Sequence, residues 1–128
     1  MSERPAIYVL EHDFDRLYAM LEKQPQGNEA AEALELELDR ATLVSPEKLP
    51  PGTVTMNSLV HFRNEGNEAE YTLRLVYPTR QETDEECVSV LAPAGAALLG
   101  LRVGDRIDWP LAGKNKLSLK IIHVTHAH

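Results

Sequence analysis

The chain has 128 residues, 43% of them hydrophobic and 26% charged, which suits one ordinary domain with a real core and excludes wholesale disorder. Its net charge of −7 argues against a dedicated nucleic-acid binder, because phosphate contacts need a basic face. No run approaches the roughly 18 apolar residues of a membrane helix, the apolar run near the N-terminus is too short for a signal-peptide core, and the single Cys87 excludes an internal disulfide or a Cys-rich zinc site, so the expected location is the cytoplasm.

From Asp13 to Gln24 the apolar residues Phe14, Leu17 and Leu21 recur three or four apart, a helical spacing with Asp13 as its expected N-cap. Pro25, Gln26, Gly27 and Asn28 stop that helix, and Asn28 is placed to cap a second one from Glu29 to about Leu43. Ala30, Leu34, Leu38 and Ala41 form its apolar stripe, with Glu32, Glu35 and Asp39 on the other face. Two helices joined by so short a loop are expected as an antiparallel hairpin with arms of roughly 18–22 Å. Residues 1–44 are read as this hairpin, 45–52 as a proline-rich connector and 53–128 as a second unit.

Beyond the connector the pattern turns to strands at Leu59–Asn64, Tyr71–Tyr77, Cys87–Leu91, Asp105–Trp109 and Lys116–Thr125. The runs 64–67 and 112–115 read as hairpin turns. In the last strand Leu117, Leu119 and Ile121 alternate, then Ile122 and Val124 shift phase, which marks a bulge or burial on both faces. Pro93 suits a helix start and Gly100 a helix end. The fold class expected is therefore α+β: a short helical hairpin plus an antiparallel sheet carrying one short helix.

Few motifs carry chemistry. Gly95 to Arg102 has the glycine spacing of a phosphate loop but lacks the following Lys-Ser/Thr pair, so it reads as a packing helix. The acidic run 82–86 lacks the spaced oxygens and glycine turn of a calcium loop. His123, His126 and His128 lie at a chain end that offers no fixed metal geometry. Cys87, His61, Ser58 and Ser89 show no nucleophile spacing, and Phe62, Tyr71, Tyr77 and Trp109 occupy ordinary strand positions. Glu22, Glu29 and Glu32 sit near the hairpin tip, where Glu29 and Glu32 complement a helix N-terminus. No catalytic residue, cofactor or metal ligand is assigned.

The V-S-V-L-A-P-A-G-A-A-L-L-G segment from Val88 to Gly100, behind a helical hairpin and a proline-bearing connector, resembles the Gre transcription-cleavage factors. More narrowly, Glu37–Ala41, Ser45–Glu47, Val54–Ser58, Phe62–Asn64, Leu75–Pro78 and Ala96–Asp105 resemble the regulator of nucleoside diphosphate kinase family, a Gre-like branch with a shortened hairpin.

The resemblance implies an FKBP-like second unit that docks at the secondary-channel rim of bacterial RNA polymerase. The Gre contact uses an Asp/Asn-Ser-Pro step. Its counterpart here is Leu91, Ala92 and Pro93, with the proline kept and both polar groups lost. Leu91, Ala92, Pro93, Ala94 and Gly95 are thus the expected polymerase contact. The tip residues Gln24, Pro25, Gln26, Gly27, Asn28 and Glu29 lack the adjacent acidic pair that brings magnesium to the polymerase in Gre factors. The expected function is a non-enzymatic, monomeric regulator that binds polymerase, competes with longer channel-binding factors, and touches neither nucleic acid nor membrane directly. The alternatives are cleavage stimulation by the tip carboxylates, direct action on nucleoside diphosphate kinase, and prolyl isomerisation.

Overall fold

A computed structural model describes residues 6–77, 87–110 and 116–126. The described chain opens with a strand, β1 (Tyr8–Leu10), followed by helices α1 (Glu11–Leu21) and α2 (Glu29–Arg40) and strand β2 (Thr42–Val44). Strands β1 and β2 run parallel, with Tyr8, Val9 and Leu10 opposite Thr42, Leu43 and Val44. Parallel neighbours need a crossover between them, and the two helices are that crossover. They touch through Tyr18, whose hydroxyl donates to Asp39 Oδ1 at 2.5 Å.

This arrangement corrects the expected helix limits. α1 starts two residues earlier than Asp13, with Leu10 as an N-cap that offers no side-chain bond. Asp13 is turned inward instead. Asn28 does cap α2, its side chain accepting the Ala31 N–H at 3.2 Å. α2 stops at Arg40, because Ala41 is already extended at φ −74° and ψ 149°. Thr42–Val44 is therefore a strand, not the last helical turn.

The chain then passes a single 3-10 turn at Pro46–Lys48 and enters five strands and a helix: β3 (Leu59–Asn64), β4 (Ala69–Val76), β5 (Cys87–Ser89), α3 (Pro93–Leu98), β6 (Arg106–Pro110) and β7 (Lys116–Thr125). They form one sheet in the order β5-β4-β3-β7-β6. The sheet is mixed rather than antiparallel throughout, since β5 runs parallel to β4. The expected bulge is present: the β3–β7 register shifts between His61 and Phe62, which face His123 and Ile121 and leave Ile122 extra. The turn at 64–67 joins β3 to β4, whereas the 112–115 turn and the 82–86 acidic run lie outside the described residues.

Two glycines let α3 sit where it does. A Cβ on Gly95 would lie 2.0 Å from the Ser89 carbonyl oxygen. Gly100 ends the helix at φ +84°, and a Cβ there would lie 2.6 Å from Ile7 Cβ. The Gly100 carbonyl also accepts the Tyr8 N–H at 3.2 Å, so β1 is seated on the end of α3. The core is continuous across both parts: Ile7, Leu17, Leu34 and Leu38 share one cluster with Val54, Leu98, Leu101 and Ile121.

Candidate functional site

The corner between β5 and α3 is built by backbone bonds. Val90 N–H donates to Val76 O at 2.9 Å and Ala92 N–H to Ser89 O at 2.9 Å, while the Ser89 hydroxyl accepts the Leu91 N–H at 3.0 Å. Ala92 is extended, as a residue before proline should be, and Pro93 opens the helix without losing a useful donor. Of the five expected contact residues, Pro93 is exposed and Leu91, Ala92 and Ala94 are half-buried. Gly95 is buried and serves the packing of α3.

Beside this corner lies a groove that the strand pattern alone did not single out. Phe62, Asn64, Tyr71, Leu73, Leu117 and Leu119 line it, with Ala94 of α3 on its edge, around about 200 Å³. The β3–β4 register sets Phe62 opposite Tyr71, and their rings stand 5.6 Å apart. Phe62 is almost wholly buried, yet Tyr71 is 41% exposed. Of the four aromatics named from sequence, these two meet. Trp109 is buried, and Tyr77 lies against α1 instead. The signal was available in the turn at 64–67, which fixes the register of the aromatic pair.

The tip at 24–28 closes on itself, with Asn28 Nδ2 donating to Gln24 Oε1 at 3.4 Å and Gly27 at φ +84°. With Leu21, Ala31, Glu32 and Glu35 it walls a concavity of about 470 Å³. Glu22, Glu29 and Glu32 all point to solvent. Among the described residues no three His, Cys, Asp or Glu side chains are grouped to hold a metal ion. His126 Nε2 instead meets the Thr53 carbonyl at 2.6 Å, and His61 bridges Glu70 and Thr72 across the β3–β4 pair. Bonds from His61 and Arg63 hold the Glu70 carboxyl below its ordinary range.

A polar junction joins α1 to the sheet. Asp13 is 8% exposed, and its Oδ2 accepts the Met56 N–H at 3.2 Å. The turn carrying Met56 is itself fixed: the Ser58 hydroxyl accepts the Thr55 N–H at 3.0 Å, and Asn57, at φ +69°, donates its N–H to Leu75 O at 2.7 Å. One helical turn beyond Asp13, the Arg16 guanidinium lies 5.2 Å above the Tyr77 ring. The Tyr77 hydroxyl is buried with no partner among the described residues. Burial raises the Asp13 carboxyl above its ordinary range, and burial together with Asp13 pushes Tyr77 up to about 12.

Comparison with known proteins finds relatives across most of the chain. The family described as transcription elongation factor GreA/GreB, C-terminal, matches residues 49–126, and the one described as the Rnk N-terminus matches 5–44. The regulator of nucleoside diphosphate kinase of Escherichia coli K12 is 43% identical over 96% of this chain and 91% of its own. The transcription elongation factor GreA of Prosthecochloris aestuarii is 30% identical, over 83% of this chain and 67% of its own. Among solved structures, a prokaryotic transcription elongation factor GreA/GreB from Nitrosomonas europaea is 45% identical, covers 96% of this chain and 100% of its own, and superposes with a TM-score of 0.75. No helix among the described residues is long and apolar enough to cross a membrane.

Proposed function

The chain belongs to the regulator of nucleoside diphosphate kinase family, within the wider GreA/GreB group, and from that premise we propose that it is a regulator that binds RNA polymerase at the secondary-channel rim. The sheet unit docks through Leu91, Ala92, Pro93 and Ala94, and the helical pair stands at the channel entrance. It excludes longer channel-binding factors by occupying their footing and stimulates no transcript cleavage itself.

The observation that carries the docking reading is the exposed Pro93 corner running into an open apolar groove. A few aromatic or apolar anchors packed in or beside a groove carry much of the binding energy of a typical interface. The loss of both polar groups of the Gre step is thereby offset by Tyr71, Leu73 and Leu117, which keep exposed surface in the groove. The tip supports the second half of the reading, since Gln24 to Asn28 offers amides and a proline in place of paired carboxylates.

The test is a binding assay against core polymerase with a longer Gre factor as competitor. Pro93→Asp suits the fold, because Pro93 is exposed and an acid at the first position of a helix is favourable. It should cut binding at least tenfold, and the wild-type chain should be displaced by the competitor. Binding that Pro93→Asp leaves unchanged removes the docking assignment. Shortened transcripts on adding the protein to backtracked complexes would refute the absence of cleavage stimulation.

A further inference from the structure

We infer that Asp13 is a positioning residue that aims the α1–α2 pair relative to the docking corner, an inference that rests on the docking reading above. Asp13 occupies the first turn of α1, where a carboxylate left in solvent would already complement the helix N-terminus. It is buried instead, its Oδ2 on a backbone N–H 43 residues away. Burying a carboxylate is costly, whereas an apolar side chain in its place would leave the buried Met56 N–H without this acceptor. What a hydrogen bond to a fixed N–H adds is direction.

The donor it accepts from is fixed at the far end. Met56 lies in the turn at 55–58, which is tied to β4 by Asn57 N–H to Leu75 O at 2.7 Å, Leu75 N–H to Ser58 O at 3.0 Å and Arg74 Nη1 to Asn57 O at 2.8 Å. Arg16, one turn along the same helix, rests over Tyr77 just past the end of β4. α1 is thus referenced twice to β4, the strand that also carries Tyr71 and Leu73 of the groove. α1 runs eight residues beyond Asp13 to Leu21, roughly 12 Å along the helix, so a rotation of about 15° at Asp13 displaces that end, and the tip that follows it, by roughly 3 Å or more.

The test uses the full chain in three forms. In solution, residual dipolar couplings report the orientation of α1 and α2 against β3, β4 and β7. Asp13→Ala should rotate the helices while the sheet couplings keep their native pattern. Asp13→Asn retains an acceptor for the Met56 N–H and should keep the native orientation. On polymerase, a photo-crosslinking residue in place of Gln26 should give one dominant crosslink in the wild-type and Asp13→Asn forms. Asp13→Ala should bind with affinity changed less than twofold yet lose that crosslink by fivefold or more. A native orientation in Asp13→Ala, or a rotated one in Asp13→Asn, overturns the inference, and the Asn arm decides even where the Ala variant does not fold. Failure of the wild-type chain to bind polymerase removes the docking reading instead, and the couplings still decide whether Asp13 aims the helices.

Discussion

At the scale of single residues, Asp13 makes a signed prediction. Its carboxyl is raised chiefly by burial, which outweighs the Met56 hydrogen bond and the neighbouring His12 and Arg16 charges. A group raised in the folded state stabilises fully below its unfolded value and loses that contribution as pH climbs through its folded one. Charge on Asp13 at neutral pH therefore costs the native state, because burial outweighs what the Met56 bond and the His12 and Arg16 charges return. Asp13→Asn should raise Tm at pH 7, and the gain should shrink as pH falls toward 4, read by thermal melts across that range. Asp13→Ala strands the buried Met56 N–H and should cost about 1–3 kcal/mol. Gly95 and Gly100 belong to the same scale. With 2.0 Å to the Ser89 oxygen and 2.6 Å to Ile7 Cβ, a methyl group at either forces backbone to move. Each alanine substitution should cost about 3 kcal/mol in denaturant titrations, with Gly100→Ala also strained by its positive φ.

Among the elements, α2 depends on its cap. Asn28→Ala removes the bond to the Ala31 N–H and should cost about 1 kcal/mol, with faster amide exchange at Ala31 and Glu32 as the local signature. This helix start was legible in the sequence because a Pro-Gln-Gly break precedes an Asn and an acidic first turn. The start of α1 was not. Asp13 has every local mark of an N-cap, yet a partner 43 residues away claims its side chain, and no local pattern carries that information. The strands β1 and β2 escaped for a different reason: three residues are too few to show a period of two, and Leu43 could be placed on the α2 stripe. The longer strands β3 and β7 have their expected limits. The short β5 was found, but three residues, Cys87–Ser89, carry no signal of whether they pair parallel or antiparallel with β4. The groove at Phe62 and Tyr71 needed only the register of one hairpin, so its parts were visible while their meeting was not.

For the whole molecule, charge and core tell opposite stories about how separate the two parts are. Residues 1–44 hold ten acidic and four basic side chains, a net of −6 out of the chain's −7, so charge alone would divide the protein at the proline-rich connector. The core does not divide there. Leu17, Leu34 and Leu38 are as fully buried as Leu98, Leu99 and Leu101, and both groups belong to one cluster. β1 is hydrogen-bonded to the end of α3, and Asp13 to the turn before β3. Removing either part would expose the apolar face of the other, which is the condition for cooperative unfolding. Helix content followed at 222 nm and the fluorescence of the buried Trp109 in β6 should therefore report one coincident urea transition. Leu38→Ala, on α2, should cost about 2–5 kcal/mol and move the Trp109 signal by the same amount as the helix signal, though Trp109 lies in the other part of the chain. Two separated transitions, or a Leu38→Ala effect confined to the helix signal, would mean that the connector is a true domain boundary and that the shared cluster is an interface between independently folded units.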